Sequence, residues 1–532
     1  MTATQTPATL YRGGRIRTPC APDATGLLVT GQTITWLGRD ADAPPADHVV
    51  DLAGALVTPA FVDAHVHLTD TGMASTALDL SPVRSAAELL AAVAAAAARL
   101  PGDAVVFGHG WDESRWPDPT PPDASALDQA AGGRPVYAAQ ASLHSALWSR
   151  ALLRAADGAP GYHPTGWVRR EAHHAVRTVA LASVSPAQRT HAQRLALRQA
   201  AGLGIAAVHE CGGPGISSPE DFTAALAAGT DQALPEVYGY WGELGGAARA
   251  AQLGALGAGG DLFADGALGS RTAYLRQPYA DLAAAADDSA GPDGCGHGYL
   301  DHHQVRDHLL ECHEFGLAGG FHAIGDAALA EVLAGFRAAA QRLGVEALRA
   351  ARHRIEHAEL LDRDMIGSLV EYGIVASVQP AFDRLWGGSS QMYATRLGPQ
   401  RALAANPLAA MHSVGVGLAF GSDSPVTPLD PWGAVRAAVW HHNPAQRISP
   451  GAAFAAHTRG GWRVVHQEQH GVLAPGAPAT FVVWDTPAGI DGTLPVLLAA
   501  DPQDRGPHDP TPLPRARRTV LRGRTIFAEE ET

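Results

Sequence analysis

Residues 62–68 read VDAHVHL. Histidines at i and i+2 of a β-strand project to one face, so His65 and His67 offer two imidazoles to a single cation. The run ahead of them, LVTPAF, is apolar with a Thr-Pro break, as in a chain entering a buried strand. His-x-His also occurs as a partly buried pair lining a strand, so its meaning depends on the rest of the chain.

Working outward, short apolar runs recur between Ala/Leu-rich helical segments. The strand candidates are VVFGHGW (105–111), GIAAVHE (204–210), EVYGYW (236–241), LAGGFHAIG (317–325), RHRIEHAE (352–359), IVASVQP (374–380) and VGLAFGSDSP (416–425). Helix candidates include SAAELLAAVAAAAARL and LAEVLAGFRAAAQRLG. Repeated strand–helix alternation predicts a parallel barrel or a doubly wound sheet. Both ends read differently, as short β-runs and turns: GLLVTGQTITWLG near the start, ATFVVWD and RRTVLRGRTIF near the finish. They predict one small β-domain contributed by both termini. His65, His67, His209 with Glu210, His322, His357 and Asp423 all fall near the C-terminal ends of apolar runs. In a β/α barrel that edge carries the chemistry.

At 532 residues, 46% hydrophobic and 17% charged, the chain has the composition of a large folded protein. A net charge of −14 speaks against general nucleic-acid binding and against an anionic membrane surface. The Ala-rich runs contain charges and fall short of a membrane span. No basic start followed by an apolar run marks a signal peptide. Four scattered cysteines, Cys20, Cys211, Cys295 and Cys312, form no CxxC, which points to reduced thiols in a cytoplasm. There is no lysine, so all 39 basic side chains are arginines and no chemistry that needs a lysine amine is open.

Several imidazoles with a carboxylate are the donor set with which a divalent ion, zinc above all, activates water for hydrolysis. A carboxylate beside that water, here Asp423 in GSDSPV, takes its proton and passes it to a leaving atom. Taken together, PAFVDAHVHL, HAIGD, RIEHAE and GSDSPV resemble the metal motifs of the amidohydrolase superfamily. GWDES, HSALWSRAL, PTGWVRREAHHAVR and LFADGALGSRTA are similar to the branch that contains N-substituted formamide deformylase. The resemblance runs from the first strands to near residue 480. It implies a TIM-like (β/α)8 barrel over residues 58–470 with inserted segments, and a small β-sandwich domain from residues 1–57 and 471–532. It also implies one or two divalent ions, most simply Zn2+, and hydrolysis of a non-peptide C–N bond in a small molecule. A deaminase, an ester or lactone hydrolase, or a metal-binding member without turnover stand as alternatives, and a homo-oligomer stays open.

The implied metal ligands are His65, His67, His322, His357 and Asp423. Many members bridge two metals with a carboxylated lysine just before a segment like LFADG. Here that position is Asp261, whose side chain is several bonds shorter and is not expected to take over. Either one metal is held, or another carboxylate serves, and Glu210 is the best placed by sequence. Trp111, Asp112, His144, Asp265 and Arg271 are candidates for contact with substrate; Asp265 and Arg271 alternatively hold each other in an ion pair. The adjacent pairs His173–His174 and His441–His442 read as structural or surface residues whose side chains diverge.

Overall fold

Runs such as IAAVHECG and AGGFHA show no polar alternation, and both are buried along their whole length. Strands covered on both faces belong to a parallel sheet under helices. The computed structural model, which describes residues 6–100, 105–141, 145–282, 290–486 and 512–529, builds that sheet from eight strands. They are β1 (Phe61–Val66), β2 (Ile205–Gly212), β3 (Glu236–Trp241) and β4 (Gly257–Ala258), then β5 (Ala318–Ala323), β6 (Arg354–His357), β7 (Val375–Val378) and β8 (Gly417–Phe420). They pair in chain order, all parallel. A parallel bridge between Val66 and Ser424 joins the two ends of that order. There Asp423 N–H donates to His65 O at 2.8 Å and His67 N–H to Ser424 O at 3.0 Å. The barrel therefore closes next to the two histidines of the opening motif.

Helix α1 (Asp326–Leu343) follows β5, and α2 (Arg363–Tyr372) follows β6. The second shows how sequence sets its bounds. Asp362 caps its start by accepting Met365 N–H, and Gly373 ends it at φ 66°, a conformation that suits glycine. Met365, Ile366 and Leu369 fall on one buried face.

The termini meet as the end-runs predict. Ala8–Arg12, Gly26–Thr30, Thr33–Gly38 and His48–Asp51 form one sheet. Arg15–Ile16 and Leu56–Pro59 join Phe481–Asp485, Arg515–Leu521 and Arg524–Ala528 in a second. Leu27 and Ile34 of the first sheet share a core with Val57, Phe481 and Val520 of the second.

By contact density the chain divides into two compact units, Met1–His67 with Leu197–Thr532, and Leu68–Ala196. The barrel and the terminal sheets belong to the first. The second has its own five-stranded sheet, which includes Val106–Trp111 and Val136–Gln140. The run VVFGHGW is thus a strand of this separate sheet, not of the barrel; its own core of Leu89, Val93, Leu127 and Leu147 supplies the apolar partners that a short strand requires.

Candidate metal centre

Six side chains converge at the C-terminal ends of the barrel strands. His65 lies in β1 with His67 just beyond it, Asp261 follows β4, His322 lies in β5, His357 ends β6 and Asp423 follows β8. His357 and Asp423 adopt left-handed backbone at φ 66° and 56°. Such conformations are uncommon for residues other than glycine and persist where the surroundings over-determine them, often at functional sites.

Each imidazole has one nitrogen tied to an oxygen that can only accept. His65 Nδ1–H donates to Glu356 Oε2 at 2.9 Å, His67 Nδ1–H to Cys211 O at 3.0 Å, and His357 Nδ1–H to Gln379 Oε1 at 2.9 Å. His322 uses the other nitrogen, donating from Nε2 to Gly266 O at 3.2 Å. The remaining nitrogens face two carboxylates. Asp261 Oδ1 lies 3.4 Å from His65 Nε2, 3.6 Å from His322 Nδ1 and 3.8 Å from His357 Nε2, and its Oδ2 lies 3.2 Å from His67 Nε2. Asp423 Oδ1 lies 3.1 Å from His67 Nε2 and 3.5 Å from His65 Nε2. His65 Nε2, His322 Nδ1, His357 Nε2 and Asp261 Oδ1 are buried without a hydrogen-bond partner. Lone pairs facing lone pairs need a cation between them. Ligands about 2.0–2.2 Å from a tetrahedral zinc ion stand roughly 3.3–3.6 Å apart, so the spacing suits such an ion. Outer partners that fix the tautomer are what metal-binding histidines ordinarily have.

Burial works to lower the imidazole of His65, yet Cys211, Asp261 and Asp423 outweigh it and hold it well above its ordinary value. His67 is raised in the same way, against burial, by Asp261 and Asp423. Burial would lift Asp261; His65, His322 and His357 instead hold it well below the usual carboxylate range.

Although the side chain at 261 is short, the backbone brings its carboxylate to the imidazoles. Gly259 passes so close to β5 that a Cβ there would stand 2.2 Å from Gly320 N, and Gly260 has φ 81° with Cys211 Sγ 3.0 Å from where its Cβ would be. Two glycines let the chain approach the barrel axis, and a short side chain then reaches all four imidazoles. Glu210 lies on β2 between His209, which receives a hydrogen bond from Arg354, and Cys211, which neighbours His65. Strand alternation directs Glu210 to the opposite face, so the carboxylate among the imidazoles is Asp261.

Asp265 accepts from the backbone N–H groups of Ile324, Gly325 and Tyr274 at 2.7–3.0 Å, clasping the loop behind His322; burial pushes it up to about 6. Arg271 pairs with Asp281 at 2.7 Å, not with Asp265. Trp111 is fully buried in the core of the second unit, its indole N–H donating to Ala138 O, and Asp112 follows it there at intermediate exposure. His144 lies outside the described residues. His173 is buried against Tyr137. His441 and His442 do not diverge, since both face Asp383, at 3.5 and 3.1 Å. The strand-six run carries two further buried acids, Glu356 and Glu359. Glu356 stands behind His65, and Glu359, two residues past His357, is pushed by burial up to about 7. The quoted run RIEHAE contains both, and the paired spacing of Arg354, Glu356 and His357 was the available signal.

Residues 48–527 match the amidohydrolase family. A putative amidohydrolase, YtcJ, of Bacillus subtilis is 27% identical over 482 residues, covering 82% of this chain and 85% of its own. N-substituted formamide deformylase of Arthrobacter pascens is 31% identical over 137 residues, 24% of this chain and 25% of that one. The crystal structure of an uncharacterized metal-dependent hydrolase from Pyrococcus furiosus superposes with a TM-score of 0.70 at 26% identity, covering 90% of this chain and 98% of that one. With the barrel, its strand-end donors and a match over most of its length, this chain belongs to the amidohydrolase family.

Proposed function

We propose that the chain is a cytoplasmic, zinc-dependent hydrolase of a non-peptide C–N bond in a small molecule, an amide or formamide. The carrying observation is the set of four imidazoles, each with one nitrogen tied off and the other aimed at Asp261 or Asp423. Nitrogen donors with two carboxylates suit zinc, and His65, His67, His322, His357, Asp261 and Asp423 are the residues that would hold it. When bound, the ion supplies Lewis acidity and lowers the pKa of water. His67 and Asp423 are the most accessible members, at 12% and 9% side-chain exposure against 0% for His65. The reacting molecule therefore approaches on their side. Asp423 takes the proton of the attacking water and returns it to the leaving nitrogen. All four cysteines are free, in keeping with a reducing compartment, and among the described residues no helix is long and apolar enough to cross a membrane.

The test is Asp423→Asn, assayed with zinc-loaded protein on N-formyl and N-acyl amides, with lactones and amino-heterocycles alongside. Loss of turnover with the fold retained supports the proton role, and unchanged activity ends it. A wild type that holds zinc and hydrolyses none of the panel favours binding without turnover.

A further inference from the structure

Behind His65 stands a polar assembly that the hydrolytic reading does not use. Arg354, at the start of β6, is fully buried. Its Nη2 donates to Glu356 Oε2 at 2.7 Å, to Ser377 Oγ at 2.8 Å and to Ala64 O, and its Nε to Glu356 Oε1. Its Nη1 donates to His209 Nδ1 at 3.1 Å, and the guanidinium lies 4.4 Å from the ring centroid of Tyr240. Arg354 and Glu356 are i and i+2 on the strand, so both face the barrel axis. Glu356 has its two oxygens on the guanidinium, and Oε2 also receives His65 Nδ1–H.

A buried ion pair is weak evidence for stability, because desolvation cancels much of the attraction. This pair does have a directional consequence. A neutral imidazole carries one proton on either nitrogen, and His65 Nε2 has Asp261 and Asp423 carboxylate oxygens at 3.4 and 3.5 Å. Left free, the ring would turn its N–H toward those carboxylates and present no lone pair. With Nδ1–H committed to Glu356, the lone pair of Nε2 points at the converging donors.

We infer that Arg354 and Glu356 are positioning residues of the metal centre: Glu356 locks His65 in the Nδ1–H tautomer, and Arg354 fixes Glu356. The inference rests on the metal reading above.

The experiment compares two double variants of the full chain, Arg354→Met/Glu356→Gln and Arg354→Met/Glu356→Leu. Both remove the buried charges; only the first keeps an oxygen acceptor for Nδ1–H. Zinc affinity is read by chelator competition, and the ligand field by the visible absorption of the Co2+-loaded proteins. The Gln variant should bind within a few-fold of wild type with its cobalt spectrum retained, and the Leu variant should bind about 10–100-fold more weakly. Equal affinity in the two variants overturns the positioning role. A wild type that takes up neither Zn2+ nor Co2+ overturns the metal reading itself. Should the Leu variant not fold, the Co2+-loaded wild type supplies a second measurement by proton NMR. The ion-shifted N–H of His65 should exchange with D2O far more slowly than that of the more accessible His67, and equal exchange overturns the lock.

Discussion

Asp261→Asn separates two roles that the same geometry permits. In one, Asp261 is a ligand; in the other it is only a counter-ion to protonated imidazoles. The two predict opposite signs. His65 and His67 are held well above their ordinary range, against burial, with Asp261 among the causes. Removing its charge lowers both and relieves the competition between protons and metal. A pure counter-ion variant would bind zinc as tightly as wild type, or more tightly near neutrality. A ligand variant loses the one carboxylate that reaches all four imidazoles, at 3.2–3.8 Å. Changes outside the ligand set already cost 10–100-fold, so loss of an anionic ligand should cost at least about 100-fold, or about 3 kcal/mol. That loss should persist at pH 8.5, where proton competition is weaker than at neutrality. Chelator competition at pH 6.5, 7.5 and 8.5, with zinc content measured in parallel, reads both terms. An Asp261→Asn protein that binds zinc at pH 8.5 as tightly as wild type would refute the ligand assignment.

Zinc uptake itself should release protons and strengthen as pH rises above the ordinary histidine range, because the raised His65 and His67 must be deprotonated to bind; calorimetry in buffers of different ionisation enthalpy measures the count, and uptake without release would contradict it. His353 is buried and neutral, its Nδ1 accepting Gly319 N–H at 2.7 Å between β5 and β6, and burial pushes it down to about 4. Its folded pKa lies below the unfolded value near 6.5, so stability is complete above pH 6.5 and falls as pH drops toward 4, by about 3 kcal/mol. His353→Asn keeps an acceptor and should flatten that part of the melting-temperature profile between pH 7 and 5; an unchanged slope would show that His353 is not its source. Asp265→Ala leaves three backbone N–H groups without their acceptor and should destabilise by about 3 kcal/mol or more, read as a lower melting temperature of the metal-free protein; a shift under 1 °C would be incompatible with that clasp.

What could be read from the sequence, and what could not, divides by the range of the physics involved. The same-face geometry of His65 and His67 is a property of three consecutive residues, and the histidines at the ends of β5 and β6 follow from runs short enough to inspect. The sheet to which Val106–Trp111 belongs is not local, since an apolar run looks the same in a barrel and in an inserted sheet. His441 and His442 are structural, as read, but converge on Asp383 for a related reason: they follow a helix that ends at Val439, and past its end the divergence of adjacent helical side chains no longer applies. Asp261 is the instructive case. Comparing side-chain lengths assumes a fixed backbone, and the run GAGGD is where that assumption fails. Gly259 and Gly260 permit an approach that any Cβ would block, so side-chain reach is exchanged for backbone proximity. It follows that Gly259→Ala should disturb the centre as much as a ligand substitution does, although residue 259 carries no donor: its Cβ would have to displace Gly320 and β5, and with β5 goes His322. Zinc affinity in that variant falling as far as in Asp261→Asn would place the origin of the site in the backbone; affinity equal to wild type would show that β5 yields without moving His322.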